Sequence, residues 1–117
     1  MKHFITFGAG KQRYIHAGNR LIKQAEKLKL FDNIKLYTDK ELKLDDDFWP
    51  KHKKFIESHK RGYGYWLWKS YIIKKTMETM DDGDILLYLD CGCELNENKK
   101  LQMIENFKYV QEDNIIG

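Results

Sequence analysis

Apolar positions along the chain change their period several times, and each change marks an element. His3 to Phe7 is a run of β-favouring residues and predicts a first strand. Gly8-Ala9-Gly10 breaks it. From about Arg13 to Leu30 the spacing turns helical. Tyr14, Gly18, Leu21, Ala25 and Leu28 fall on one face, which leaves Arg13, Arg20, Lys23, Lys27 and Lys29 mostly for water. Asp32-Asn33 supply a turn, and Ile34 to Tyr37 a second short strand that ends at Thr38-Asp39. Strand, helix and strand within this length make a βαβ unit with parallel strands.

Residues 39–60 have the least regular pattern. An acidic cluster, Asp45-Asp46-Asp47, precedes Phe48, Trp49 and the only proline, Pro50. Lys51 to His59 suits a short helix with Phe55 and Ile56 inward. A better-marked helix runs from about Tyr63 to Met80. Its polar face is Ser70, Lys74, Lys75 and Glu78, and its apolar cover includes Tyr65, Trp68, Ile72, Ile73, Met77 and Met80. Asp81 to Asp84 form a turn around Gly83. Ile85 to Leu89 are apolar without alternation, which predicts a strand covered on both faces, as at the centre of a parallel sheet. A last helix is expected from about Glu97 to Val110 on the edge Leu101, Ile104, Phe107 and Val110. Asn114 to Gly117 looks like a strand just begun, which suggests the first half of a longer protein. The order of elements is that of an α/β fold.

Composition narrows the class. A chain of 117 residues fits one domain, and 42% apolar residues suffice for a packed core. A net charge of +3, with lysines spread evenly, gives no nucleic-acid footprint. No apolar run reaches the length of a membrane span, and the N-terminus does not read as a signal peptide. Cys91 and Cys93 flank one residue and read as free thiols in a reducing compartment such as the cytoplasm. A second cysteine pair for structural zinc is not found.

The candidate chemistry gathers between residues 61 and 93. Asp90 follows the apolar strand, and ligands of open α/β sheets bind beyond the carboxyl ends of strands. Its carboxylate either holds a hard divalent cation such as magnesium or manganese, or caps the loop, or pairs with a lysine. Gly92 either lets a ligand approach the backbone or makes the turn. Cys91 and Cys93 read as small filler, with no histidine near them in sequence. Arg61 precedes a helix start that already favours anions, and Lys69 lies about two turns in. The pair either grips a pyrophosphate or lies on the surface as ordinary charge. Tyr63, Tyr65, Trp66 and Trp68 are stacking candidates, with Trp68 assigned to the core.

Gly8-Ala9-Gly10 sits where a nucleotide-binding turn would, but Arg13 occupies the place of the third glycine in the dinucleotide fingerprint. Asp39, ending the second strand, is a candidate for a ribose hydroxyl. His3, His16, His52 and His59 show no metal-ligand spacing and receive no catalytic role.

Two motifs taken together, Arg61 to Lys69 (RGYGYWLWK) and Gly83 to Asn96 (GDILLYLDCGCELN), resemble glycosyltransferases of the GT-A fold found in bacteria and giant viruses. Residues 4–25 (FITFGAGKQRYIHAGNRLIKQA) are similar to the first strand and helix of the same group, so the resemblance covers nearly the whole chain. It implies a Rossmann-like three-layer α/β/α sandwich, residues 1–117 being the nucleotide-sugar-binding part of a longer GT-A domain. It implies transfer of a sugar from a UDP- or GDP-sugar to an acceptor hydroxyl in a bacterial, virion or host cytoplasm. Phe7, Gly8 and Ala9 would lie near the base, Arg61 and Lys69 near the diphosphate. Asp90 matches the first aspartate of the Asp-x-Asp metal motif. The second position here is Gly92, so a manganese site would have one protein carboxylate, or the cationic side chains would replace the metal. The catalytic base belongs to the C-terminal half of such enzymes, and this part alone is expected to transfer little or no sugar. Two other readings stay open: a Rossmann-type dinucleotide-binding domain built on Gly8, Gly10 and Asp39, and a non-catalytic interaction module.

Overall fold

A computed structural model of the protein describes residues 1–59 and 67–113. Three strands, β1 (Lys2–Phe7), β2 (Asn33–Tyr37) and β3 (Ile85–Tyr88), form one all-parallel sheet in the order β2-β1-β3. Phe4 of β1 stands opposite Ile34 of β2 and Leu87 of β3. The helices are α1 (Gln12–Leu28), α2 (Asp39–Leu44), α3 (Trp49–Ser58), α4 (Leu67–Glu78) and α5 (Lys100–Asp113), the last preceded by a 3₁₀ turn at Glu97–Lys99. The fold is therefore α/β. No helix among the described residues is long and apolar enough to cross a membrane.

The period of two along β1 divides the core. Phe4 points to α1 and packs with Leu21 and Ala25, joined by Ile34, Leu87 and Leu89. Phe31 lies 5.3 Å from Phe4 and meets Phe107 of α5 edge-on at 5.9 Å. Ile5 and Phe7 project to the other cluster, with Leu42 of α2, Phe48, Ile56 of α3, and Trp68 and Ile72 of α4. Within it Phe7 and Trp68 stack at 3.8 Å.

The first helix starts one residue early and ends two early against the expected span. It stops because Lys29 takes a left-handed conformation, φ 53°, and returns its N–H to the Glu26 carbonyl. Tyr14, expected inward, is 40% exposed.

The irregular stretch after β2 resolves into two helices. Thr38 and Glu41 form a reciprocal capping box at the start of α2. Asp45 accepts the N–H groups of Asp47 (2.9 Å) and Phe48 (3.0 Å), which turns the chain into α3. Ile56 is buried as expected, whereas Phe55 is 41% exposed and stacks on His59. On α4, Met77 is outward and Thr76 is buried. Thr76 is satisfied by donating to the Ile72 carbonyl and by a 3.1 Å contact with the Tyr37 hydroxyl.

β3 was expected at the centre of the sheet, yet β1 holds that place among the described strands. The apolar run of β3 has another cause. It carries Leu86 and Tyr88 to one core cluster and Leu87 to the other, so both faces are packed although β3 pairs with β1 alone among the described strands. The expected start of the α4 helix at residues 63–66 and the strand at 114–117 lie outside the described residues.

Candidate functional site

β2 and β3 lie on opposite sides of β1, so the strand order reverses between β1 and β3. At such a reversal the loops leave the carboxyl ends of the strands in opposite directions and open a crevice. Gly8 and Ala9 follow β1 there, and Leu89 and Asp90 follow β3.

The Asp90 side chain is 59% exposed at this rim. Its Oδ1 accepts a hydrogen bond from the Tyr88 hydroxyl at 2.9 Å and lies 3.3 Å from Lys69 Nζ on α4. Lys69 also stands over the Tyr88 ring, 5.0 Å from its centre. Lysine, tyrosine and aspartate thus form one cluster at the rim, the carboxylate exposed and the tyrosine half-buried, and Oδ1 carries both contacts. Burial, reinforced by the bond to Asp90, pushes the Tyr88 hydroxyl far above its ordinary value, so it stays a donor. Of the alternatives for Asp90, pairing with a lysine is present, and that lysine is itself a diphosphate candidate.

The loop after Asp90 is tied to α1. Arg20 donates to the carbonyls of Cys91 (3.1 Å) and Cys93 (2.7 Å) and to Glu94 Oε1 (2.8 Å). One turn further on, Gln24 Oε1 accepts the Leu95 N–H at 2.9 Å. The turn closes on itself through Cys93 N–H to the Asp90 carbonyl, 2.9 Å. Beneath it the buried Thr6 hydroxyl donates to the Leu89 carbonyl at 2.7 Å. Arg20, assigned to water from its helical position, is therefore a loop ligand. Its only sequence signal is its place beside the apolar stripe, four residues before Gln24.

Phe7 and Ala9 are buried in the cluster around Trp68. Gly8 is shaped by its neighbour: a Cβ there would stand 2.5 Å from the Tyr14 carbonyl oxygen, so the strand end presses against the first turn of α1. A Cβ on Gly92 would meet no atom within 4 Å, so that position has room for a side chain. Asp39 opens α2 rather than ending β2, and Lys43 holds it at 3.1 Å. Arg61 and Tyr65 lie outside the described residues, as do Tyr63 and Trp66. Cys91 and Cys93 are free thiols, and burial together with the Asp90 charge raises the Cys91 thiol above its ordinary value. Among the described residues no three His, Cys, Asp or Glu side chains gather as a metal cluster.

Two polar clusters elsewhere escaped the sequence. Tyr71 donates to Asp45 Oδ2 at 2.6 Å, with Lys75 Nζ 3.9 Å from the same oxygen. The tyrosine bond holds Asp45 below its ordinary value, and burial with that bond raises Tyr71. At the opposite end of the sheet, Asp84 receives the Met1 amino group at 2.7 Å and lies 3.2 Å from His3 Nε2. Both are structural ties between chain segments far apart in sequence. Comparison of the chain with known protein families, curated proteins and solved structures finds no match.

Proposed function

We propose that the chain is the nucleotide-sugar-binding part of a glycosyltransferase with a Rossmann-like, three-layer α/β/α architecture. The observation that supports this reading best is the exposed Lys69–Asp90 pair at the carboxyl end of β3, where the strand order reverses. The donor is a UDP- or GDP-sugar, and the acceptor is a hydroxyl group. Across 3.3 Å, Lys69 and Asp90 neutralise each other. A diphosphate offers Lys69 a stronger partner and frees the Asp90 carboxylate. That carboxylate then has the chemistry to hold manganese or magnesium, the remaining ligands being diphosphate oxygens and water. With a single protein carboxylate, metal and nucleotide bind together or weakly. The free thiols beside the site suit a cytoplasmic setting.

The test is calorimetric titration of UDP and GDP into the protein, with and without manganese. One of the two nucleotides is expected to bind, more tightly with the metal. Asp90→Asn is expected to remove the metal dependence, and Lys69→Met to weaken binding about tenfold, the loss of one charge-assisted contact. Failure of both nucleotides in both conditions would sink the proposal.

A dinucleotide-binding domain is the second reading, and Gly8 favours it. The close approach of strand end to helix start is what a glycine-rich nucleotide turn uses. That reading expects NAD to raise the thermal midpoint without metal, and Asp90→Asn to leave the rise unchanged.

A further inference from the structure

We infer that Arg20 is a positioning residue for the Asp90 rim, setting its affinity for a metal-bound diphosphate without touching the ligand. The inference rests on the nucleotide-sugar reading. The stretch from Asp90 to Leu95 leaves the sheet and has no described strand beside it, so its shape depends on a few polar ties. Arg20 supplies three of them, to two carbonyls on either side of Gly92 and to Glu94. Those carbonyls are two residues apart and converge on one guanidinium, which fixes the Cys91–Gly92 and Cys93–Glu94 peptide planes. Without the cation, both carbonyls would lose their shared donor. Arg20 is carried by a firm base: Leu21 and Ala25, on the same helix, are completely buried against β1.

The direction of the grip matters. Arg20 holds the backbone of the loop from the α1 side, while the Asp90 side chain turns to Lys69 on α4. The loop is thereby held by one helix, and its carboxylate is offered to another across the rim. A planar fork can bind two carbonyls and a carboxylate at once, and a lysine ammonium on its flexible stem cannot reproduce that arrangement.

The test uses the full chain with two kinds of readout. The first needs no ligand: alkylation rates of half-buried Cys91 and exposed Cys93 by N-ethylmaleimide, resolved by mass spectrometry, with the thermal midpoint recorded alongside. Arg20→Met is expected to raise the Cys91 rate about tenfold by local opening of the loop, with a folded thermal transition retained. The second is the affinity for UDP and for UMP, each with manganese. Arg20→Met is expected to weaken UDP about tenfold while UMP changes little, because only the diphosphate reaches the rim. Arg20→Lys should recover part of both effects. Gln24→Met, which removes only the Leu95 tie, should move both readouts in the same direction by less, and it serves should Arg20→Met fail to fold. An unchanged Cys91 rate in the folded variants overturns the hold of Arg20 on the loop. A faster Cys91 rate with unaltered UDP affinity overturns the positioning role. If the unaltered protein binds neither UDP nor UMP, the nucleotide-sugar reading fails and the positioning role for diphosphate fails with it, while the alkylation rates still decide whether Arg20 holds the loop.

Discussion

At the scale of single residues, Gly8 and Gly18 look alike in the sequence and differ in what surrounds them. A Cβ on Gly8 would meet backbone, the Tyr14 carbonyl oxygen at 2.5 Å and its carbon at 3.0 Å. A Cβ on Gly18 would meet a side chain, Leu36 Cδ1 at 2.6 Å. Backbone yields only if α1 shifts on the sheet, whereas a leucine tip can rotate. Gly8→Ala is therefore expected to cost about 2 kcal/mol or more, as overpacking does. Gly18→Ala is expected to stay within about 1 kcal/mol, since better helix propensity offsets the crowding. Urea unfolding of the two variants checks this; equal midpoints would mean that the strand end is not pressed on the helix. The glycine-rich break after β1 was legible because glycine interrupts a β run. Its reason was not, because the constraint comes from a helix turn that sequence spacing does not place.

Among the elements, the three strands and the longer helices announced themselves, and the six-residue α2 did not. α1 extends over enough turns for Leu21, Ala25 and Leu28 to define a face, and β1 has a compact β-rich signature. α2 has six residues, too few for a period, and forms through the Thr38–Glu41 box and a turn at Asp45. That box stands in the sequence as threonine followed three residues later by glutamate, a sign that spacing of apolar residues does not use. The end of α1 carries a testable defect. Lys29 occupies the left-handed position where glycine has no steric penalty. Lys29→Gly is expected to stabilise the protein by about 0.5–1 kcal/mol, as a raised thermal midpoint in calorimetry. A lowered midpoint would show that the lysine side chain contributes more there than its backbone strain costs.

For the whole molecule, the order of strands was the part that patterning could not deliver. An apolar run reports that both faces of a strand are covered, and β3 is covered on both while pairing with β1 alone among the described strands. The Lys69–Asp90 pair was legible only in part: Asp90 was placed at a strand end with pairing to a lysine as one alternative, and which lysine came only with the fold. Arg20 was missed because its partners lie 71 and 73 residues away in sequence. A tie of even longer reach contributes to stability in acid. Asp84 holds the Met1 amino group and the Asp81 N–H, and these bonds, the amino group first, lower its carboxyl from 3.8 to about 2. A depressed folded value stabilises the fold above the unfolded value, so this contribution is complete above about pH 4 and fades as pH falls toward about 2. Asp84→Asn is expected to lower the thermal midpoint at neutral pH and to flatten its decline between pH 4 and 2. An identical decline in the variant would assign the acid response to other carboxyls. The aromatic stack in the core has an optical consequence: Trp68 lies flat on Phe7 and is the residue before Lys69. Movement between the middle strand and the fourth helix is expected to change the Trp68 emission, a gauge that replacing Trp49 and Trp66 would isolate.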